Sequence, residues 1–95
     1  MRKYDVMYIV RPNLELEGVK KIIADFNDIF TSRNSKILEL KETGLKDLAY
    51  EITHFTKGYY VYLLVEATPE AVAEFNRVVR ITEDVLRFIV VKEGE

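Results

Sequence analysis

Two neighbouring stretches in the middle of the chain decide its fold: Gly44-Leu45-Lys46-Asp47-Leu48-Ala49-Tyr50-Glu51-Ile52, and after it Gly58-Tyr59-Tyr60-Val61-Tyr62. In the first, apolar residues alternate at Leu48, Tyr50 and Ile52, the period of two that is typical of a β-strand. The second is dense in β-branched and aromatic residues without alternation, which predicts a central strand covered on both faces. We expect the residues between them to form a hairpin loop from Thr53 to Gly58.

The first of these strands extends back to Lys36. Leu38 and Leu40 alternate before a break at Gly44, which is typical of a β-bulge. The pattern therefore predicts one long strand or two collinear strands over residues 36–52.

Upstream, the sequence predicts a strand followed by an amphipathic helix. Arg2 to Val10 alternates two sets of side chains, as a strand requires. From Leu16, apolar residues recur at spacings of three and four up to Phe30. Asn13 is the predicted N-cap of this helix, which we expect to end near Arg33-Asn34.

Downstream, Thr68-Pro69 predicts the start of a second helix, with Thr as N-cap and Pro in the first helical position. A last strand is expected from Val85 to Lys92. The resulting order, β-α-β-β-α-β, is that of the α+β ferredoxin-like split βαβ fold, in which two helices cover one face of a four-stranded antiparallel sheet. We expect residues 1–95 to form a single domain of this kind.

Four motifs along the chain resemble the bacterial small-subunit ribosomal protein six family: Met1-Arg2-Lys3-Tyr4, Arg11-Pro12-Asn13, the stretch from Gly44 to Ile52, and Leu86-Arg87-Phe88-Ile89-Val90-Val91-Lys92. The resemblance covers essentially the whole chain. It implies a structural component of the cytoplasmic 30S ribosomal subunit that binds the central domain of 16S rRNA together with small-subunit ribosomal protein eighteen.

Charge is distributed unevenly along the chain. The 14 Lys and Arg against 16 Asp and Glu give a formal charge of −2, which alone argues against a protein that binds by neutralising phosphates. Residues 1–11 and 77–92 nevertheless each carry a net charge of +2, whereas residues 13–30 are acidic. In the ferredoxin-like topology the first and last strands are neighbours, so the two basic segments are predicted to form one basic patch.

The basic segments and the family resemblance supply six candidate RNA-binding residues: Arg2, Lys3, Lys46, Arg80, Arg87 and Lys92. The alternative is that they are solvated surface charges without a ligand. Lys46 matches the first member of a basic pair in the family, but Asp47 replaces the second member and would weaken a phosphate contact there.

Candidate partner-binding residues lie in the region of the second and third strands. The resemblance implies that protein eighteen contacts this region, and we expect Phe55 in the hairpin loop, Tyr59 and Tyr62 to take part. An RRM-type surface, on which tyrosines would stack bases, is an alternative that Lys57-Gly58-Tyr59-Tyr60-Val61-Tyr62 meets only loosely. Tyr50 is expected to pack against other residues rather than bind a ligand.

The sequence does not predict an enzyme, a metal site or a cofactor site. Cysteine is absent, and His54 is the only histidine, so neither a thiolate site nor a histidine pair can form. Residues 11–14 could be compared with the phosphate-binding turn of acyl-phosphate hydrolases, but the glycine-rich loop of such a site is absent. We therefore expect neither catalysis nor a small-molecule substrate.

No membrane segment is expected, since the longest uncharged run, Gly58 to Val65, is far shorter than the ~20 apolar residues of a spanning helix. The main alternative function is a ferredoxin-like regulatory or self-associating interaction domain, whose apolar sheet face would pair with a second copy.

Overall fold

The computed structural model describes residues 1–93, which form four strands and two helices. Their bounds are β1 Arg2–Val10, α1 Leu16–Thr31, β2 Lys36–Ile52, β3 Phe55–Ala67, α2 Pro69–Ile81 and β4 Val85–Lys92. The strands form one antiparallel sheet in the order β2-β3-β1-β4. The predicted α+β ferredoxin-like arrangement is confirmed, with β1 and β3 in the centre.

The core lies between the two helices and one face of the sheet. In β1, Val6, Tyr8 and Val10 are fully buried, as their alternation predicts. In β3, alternate residues from Val61 to Ala67 are buried while the residues between them are only partly covered. The prediction that β3 is covered on both faces is therefore only half right, because both helices pack on the same side of the sheet.

Aromatic rings fill the middle of this core. Tyr8 meets Phe26 edge-on with ring centroids 4.9 Å apart, and Phe75 stacks on Phe30 at 5.3 Å. Phe88 of β4 meets Phe75 edge-on with ring centroids 6.4 Å apart. Such aromatic pairs add about 0.5–1.5 kcal/mol each beyond the area that they bury, so they hold both helices to the sheet.

Helix α1 begins later than predicted. Glu15, not Asn13, occupies the N-cap position with extended backbone, and its carbonyl accepts the Val19 N–H at 3.0 Å. The Asn13 side chain instead accepts a hydrogen bond from the Arg11 guanidinium at 2.8 Å. A residue with N-cap chemistry is thus used in the preceding turn, a role that sequence spacing cannot distinguish from capping.

Helix α2 begins as predicted. The Thr68 hydroxyl accepts the Ala71 N–H at 3.1 Å, and Pro69 is the first helical residue. The Thr68 N–H in turn donates to the hydroxyl of Ser35, a buried polar residue just before β2. The start of α2 is therefore fixed both by its own cap and by a contact with the beginning of β2.

The hairpin between β2 and β3 is tighter than predicted. Only Thr53 and His54 lie outside the strands, and both have positive φ, as in the type I′ turns of two-residue hairpins. Phe55 is therefore not in a loop: it is the first residue of β3, paired with Ile52. The bulge at Gly44 is confirmed by a register shift between Glu42 and Gly44 and by a φ of 92° at the glycine.

Candidate nucleic-acid and partner interface

The face of the sheet opposite the helices, here called the open face, is not covered by either helix of the described chain. Residues that pair directly across antiparallel strands point to the same side, so the strand register assigns each side chain to a face. Ile89 and Val91 of β4 are 51% and 49% exposed there. Their open-face neighbours on the central strands include Met7, Tyr60, Tyr62 and Leu64.

Three of the six candidate RNA-binding residues lie at one end of the sheet, Arg2 and Lys92 on its helix side and Lys3 on its open face. Lys92 pairs with Tyr4, and the backbone N–H of Glu93 donates to the carbonyl of Lys3 at 2.9 Å. Arg2 and Lys3 are exposed at this same end. The pairing of β1 with β4 thus joins cations from the two ends of the sequence.

The other three candidates lie elsewhere. Arg87 pairs with Ile9 on the open face, six residues along β1 from Lys3, which corresponds to about 20 Å. Lys46 is a residue of β2 that pairs with Gly58 of β3, beyond the end of β1. Arg80 is exposed on α2. The expected single patch is therefore wrong: adjacent strands bring the basic segments side by side, but strand length keeps their cations apart.

Two arginines that contributed to the predicted basic patch are held by carboxylates. The Arg11 Nε lies 2.5 Å from the Asp84 carboxylate, and each side chain is about one third exposed. Arg77 makes two hydrogen bonds to Glu74, at 2.8 and 2.6 Å. The hydrogen bond from Arg77 holds the pKa of Glu74 below its usual value. These charges are already paired and add little to an anion-binding surface.

Two lysines that sequence reasoning missed lie on the open face. Lys36 pairs with Glu66, and Lys41 pairs with Tyr62. Both lysines are exposed. The bulges of β2 shift its register, so the alternation of residues in the sequence does not show which face these two side chains occupy. Their position on the open face follows only from the observed strand pairing.

The two tyrosines predicted to contact a partner point to opposite faces. Tyr62 lies on the open face, where its hydroxyl donates to the Asp5 carboxylate at 2.5 Å. This hydrogen bond, reinforced by burial and by nearby carboxylates, raises the pKa of Tyr62 to about 12. Tyr59 packs on the core from the helix side, and its hydroxyl donates to Glu42 at 3.0 Å. One flat partner surface cannot contact both tyrosines.

Beyond the end of β1, strands β2 and β3 continue as a two-stranded arm, residues 46–58. The base of this arm packs on the open face: a Cβ added to Gly58 would lie 2.3 Å from the Ile9 Cγ2 and 3.4 Å from the Leu48 Cδ2. Ile9 is only 8% exposed although it faces away from the helices. The arm therefore covers part of the open face.

Tyr50, at the outer part of the arm, does not pack in the way the sequence predicts. Its side chain is 57% exposed, and its ring lies under the Arg87 guanidinium, whose central carbon is 5.1 Å from the ring centroid. This distance is typical of a cation–π contact. The sequence gives no signal for it, because the two residues lie on different strands that are not paired.

The helix-side face of β2 combines apolar and acidic side chains, whereas Lys36 and Lys41 of the same strand point to the open face. Leu40 and Leu45 point to the helix side and are exposed. Glu42 lies between them, and Leu38 is exposed nearby at another bulge. An edge of this composition suits a basic partner with an apolar surface of its own.

Within residues 1–93, no group of three or more His, Asp or Glu side chains is arranged to hold a metal ion. No helix in the same range is long and apolar enough to cross a bilayer.

Comparison with known proteins identifies close relatives. The family model for ribosomal protein S6 matches residues 3–92. Small ribosomal subunit protein bS6 of Acholeplasma laidlawii is 58% identical over 95 residues, and bS6 of Halalkalibacterium halodurans is 46% identical over 95 residues; each match covers 100% of both chains. The crystal structure of 30S ribosomal protein S6 from Thermotoga maritima matches with a TM-score of 0.92 at 25% identity, covering 97% of this chain and 87% of that one.

Proposed function

Since the chain belongs to the ribosomal protein S6 family, we propose that it binds the central domain of 16S rRNA together with small-subunit ribosomal protein eighteen. Members of this family are structural constituents of the small ribosomal subunit in the bacterial cytoplasm, and the chain is accordingly not an enzyme. The proposal concerns which molecules it contacts there and through which residues.

The observation that supports the RNA part of the proposal is that Arg2, Lys3 and Lys92 lie at one end of the sheet, where this cation cluster borders both faces. These cations stand on two hydrogen-bonded strands, so they are held on a rigid support. Arg and Lys on such a support bind phosphate oxygens without reading the base sequence. A structural component that recognises folded rRNA by its backbone needs this kind of contact.

The net charge supports the proposal that a partner takes part. A chain with a formal charge of −2 and a few dispersed basic clusters neutralises few phosphates by itself, and RNA affinity depends steeply on that number. The exposed leucines and Glu42 at the edge of β2 fit a basic protein on the side of the sheet away from β4. Such a partner would add its own cations to the RNA surface.

The experiment that tests this proposal uses two charge-reversal variants with the same change in net charge. Arg2→Glu/Lys3→Glu alters the cation cluster, and Lys20→Glu/Lys21→Glu alters the exposed surface of α1. Affinity for a central-domain rRNA fragment is measured by filter binding with protein eighteen present. The first variant is expected to bind more weakly and to reduce the slope of affinity against salt by about 2, whereas the α1 variant stays close to the wild type. Equal losses in both variants would contradict a specific role for the cluster.

A Leu45→Asp variant tests the partner surface. It places a charge on the exposed β2 edge and is expected to weaken binding of protein eighteen without changing the fold. An Ile89→Asp variant on the open face of β4 is the control. If Ile89→Asp alone weakened partner binding, the partner would occupy the open face instead. Wild-type protein that forms a stable dimer indifferent to RNA and to protein eighteen would favour the self-associating interaction domain.

A further inference from the structure

The contact between Tyr50 and Arg87 joins the arm to the far edge strand of the sheet. Arg87 stands on β4, and Tyr50 stands on β2, with two other strands between them in the sheet. The guanidinium carbon lies 5.1 Å from the centre of the tyrosine ring. The contact is therefore possible only because part of β2 folds back over the open face.

A large bulge in β2 explains how Tyr50 reaches that position. Asp47 pairs with Lys57 and Ile52 pairs with Phe55, so four residues of β2, 48–51, lie opposite the single residue Thr56. Bulges bend a strand and redirect its side chains. Leu48 at the start of the bulge is anchored beside Gly58 and Ile9, and two residues later the Tyr50 ring lies against Arg87.

The geometry of this contact leaves Arg87 able to bind an anion. A guanidinium has five N–H donors, and its attraction to the electrons of a ring uses none of them in a hydrogen bond to an oxygen. Two parallel donors match the spacing of two phosphate oxygens. The ring also restricts the rotamers of the Arg87 side chain before RNA binds. The loss of side-chain entropy on binding is therefore smaller.

We infer that Tyr50 is a positioning residue for RNA binding: its ring holds the Arg87 guanidinium on the open face, where its N–H donors bind an rRNA phosphate. The inference rests on the proposed function, since it assigns a phosphate contact to Arg87. Tyr50 itself need not touch the RNA. Its hydroxyl is not required for stacking, so a phenylalanine at this position serves equally well.

The test measures the affinity of the complex with protein eighteen for a central-domain rRNA fragment in a double-mutant cycle. Tyr50→Leu is expected to weaken binding by about two- to fivefold, the equivalent of an exposed cation–π contact. Tyr50→Phe retains wild-type affinity. Arg87→Ala weakens binding and lowers the salt slope by about 1, because a phosphate contact is lost. In the Arg87→Ala background, Tyr50→Leu has no further effect.

The salt slope separates a positioning role from a direct one. Tyr50→Leu removes no charge, so its slope is expected to equal that of the wild type while its affinity falls. A similar loss from Tyr50→Leu in both Arg87 backgrounds would overturn the inference, because Tyr50 would then act independently of Arg87. Wild-type affinity in Tyr50→Leu would overturn it as well. Wild-type affinity in Arg87→Ala would also overturn it, whereas the proposed function would still be decided separately by the Arg2→Glu/Lys3→Glu variant.

Discussion

Replacing Gly58 with alanine tests how the arm is attached to the sheet. The added Cβ would lie 2.3 Å from the Ile9 Cγ2, whereas an ordinary carbon–carbon contact needs roughly 3.5 Å. The Ile9 methyl branches directly from the β-carbon of a buried strand residue, so it cannot move aside by rotating a flexible chain end. Overpacking of this kind costs about 1–3 kcal/mol, and the lower entropy of the unfolded alanine chain offsets about 0.4–1 kcal/mol.

We therefore expect Gly58→Ala to lower the free energy of unfolding by about 1–2 kcal/mol, and the melting temperature by roughly 5–15 °C. Urea unfolding followed by circular dichroism measures this change, with an m-value close to that of the wild type. If the account is correct, Ile9→Ala, which removes the clashing methyl, largely abolishes the penalty of Gly58→Ala in the double variant.

Gly44→Ala is the matched control for this cycle. At Gly44 an added Cβ meets nothing within 4 Å, but the φ of 92° disfavours any residue with a side chain. Its cost should therefore be the same with and without Ile9→Ala. The reasoning would be refuted if Gly58→Ala proved neutral or stabilising, or if its cost were equally insensitive to Ile9→Ala.

Three further predictions concern the helix cap and two titrating side chains. Thr68→Ala should lower the unfolding free energy by about 1 kcal/mol, because the Ala71 N–H loses its cap; an unchanged urea midpoint would contradict this. Because the pKa of Tyr62 is raised to about 12, its hydrogen bond stabilises the fold below the unfolded value of about 10 and is lost as pH rises through the folded pKa. Ultraviolet titration should therefore show a tyrosine that ionises near pH 12, and Asp5→Asn should shift this ionisation to lower pH. The lowered pKa of Glu74 means that its ion pair stabilises the fold above about pH 4.5 and is lost as pH falls through the folded pKa. Arg77→Gln should therefore be less stable than the wild type at neutral pH, with a difference that shrinks in acid.

The elements whose signals are local could be predicted from the sequence. Thr68 and Pro69 occupy the cap and first helical positions, so the start of α2 follows from two adjacent residues. The alternation of β1 identifies its buried face because one side of that strand packs on both helices. The order of the strands in the sheet then follows from the order of the elements.

The hairpin and the open face could not be predicted in the same way. Thr53 and His54 adopt positive φ without the Gly or Asn that usually mark such turns, so the sequence pattern predicts a longer loop than the two residues observed. The bulges in β2 shift its register at three places, and each shift changes which side chains face the helices. The position of Tyr50 over Arg87 depends on one of these shifts.

The candidate site shows the same division between local and long-range information. The pairing of β1 with β4 was predictable and does bring Arg2 and Lys3 close to Lys92. The separation of Arg87 from this cluster depends on the register of β4 against β1, in which Arg87 pairs with Ile9 and Lys92 pairs with Tyr4. The pairing of Arg11 with Asp84 depends on a contact across most of the chain.

The most direct test of the account is a salt titration of binding to a central-domain rRNA fragment, with this protein alone and with protein eighteen added. We expect weak binding by the protein alone, and much tighter binding with a steeper salt slope for the pair, because the pair neutralises more phosphates. If the affinity and the slope did not change when protein eighteen was added, the proposed shared RNA surface would be wrong.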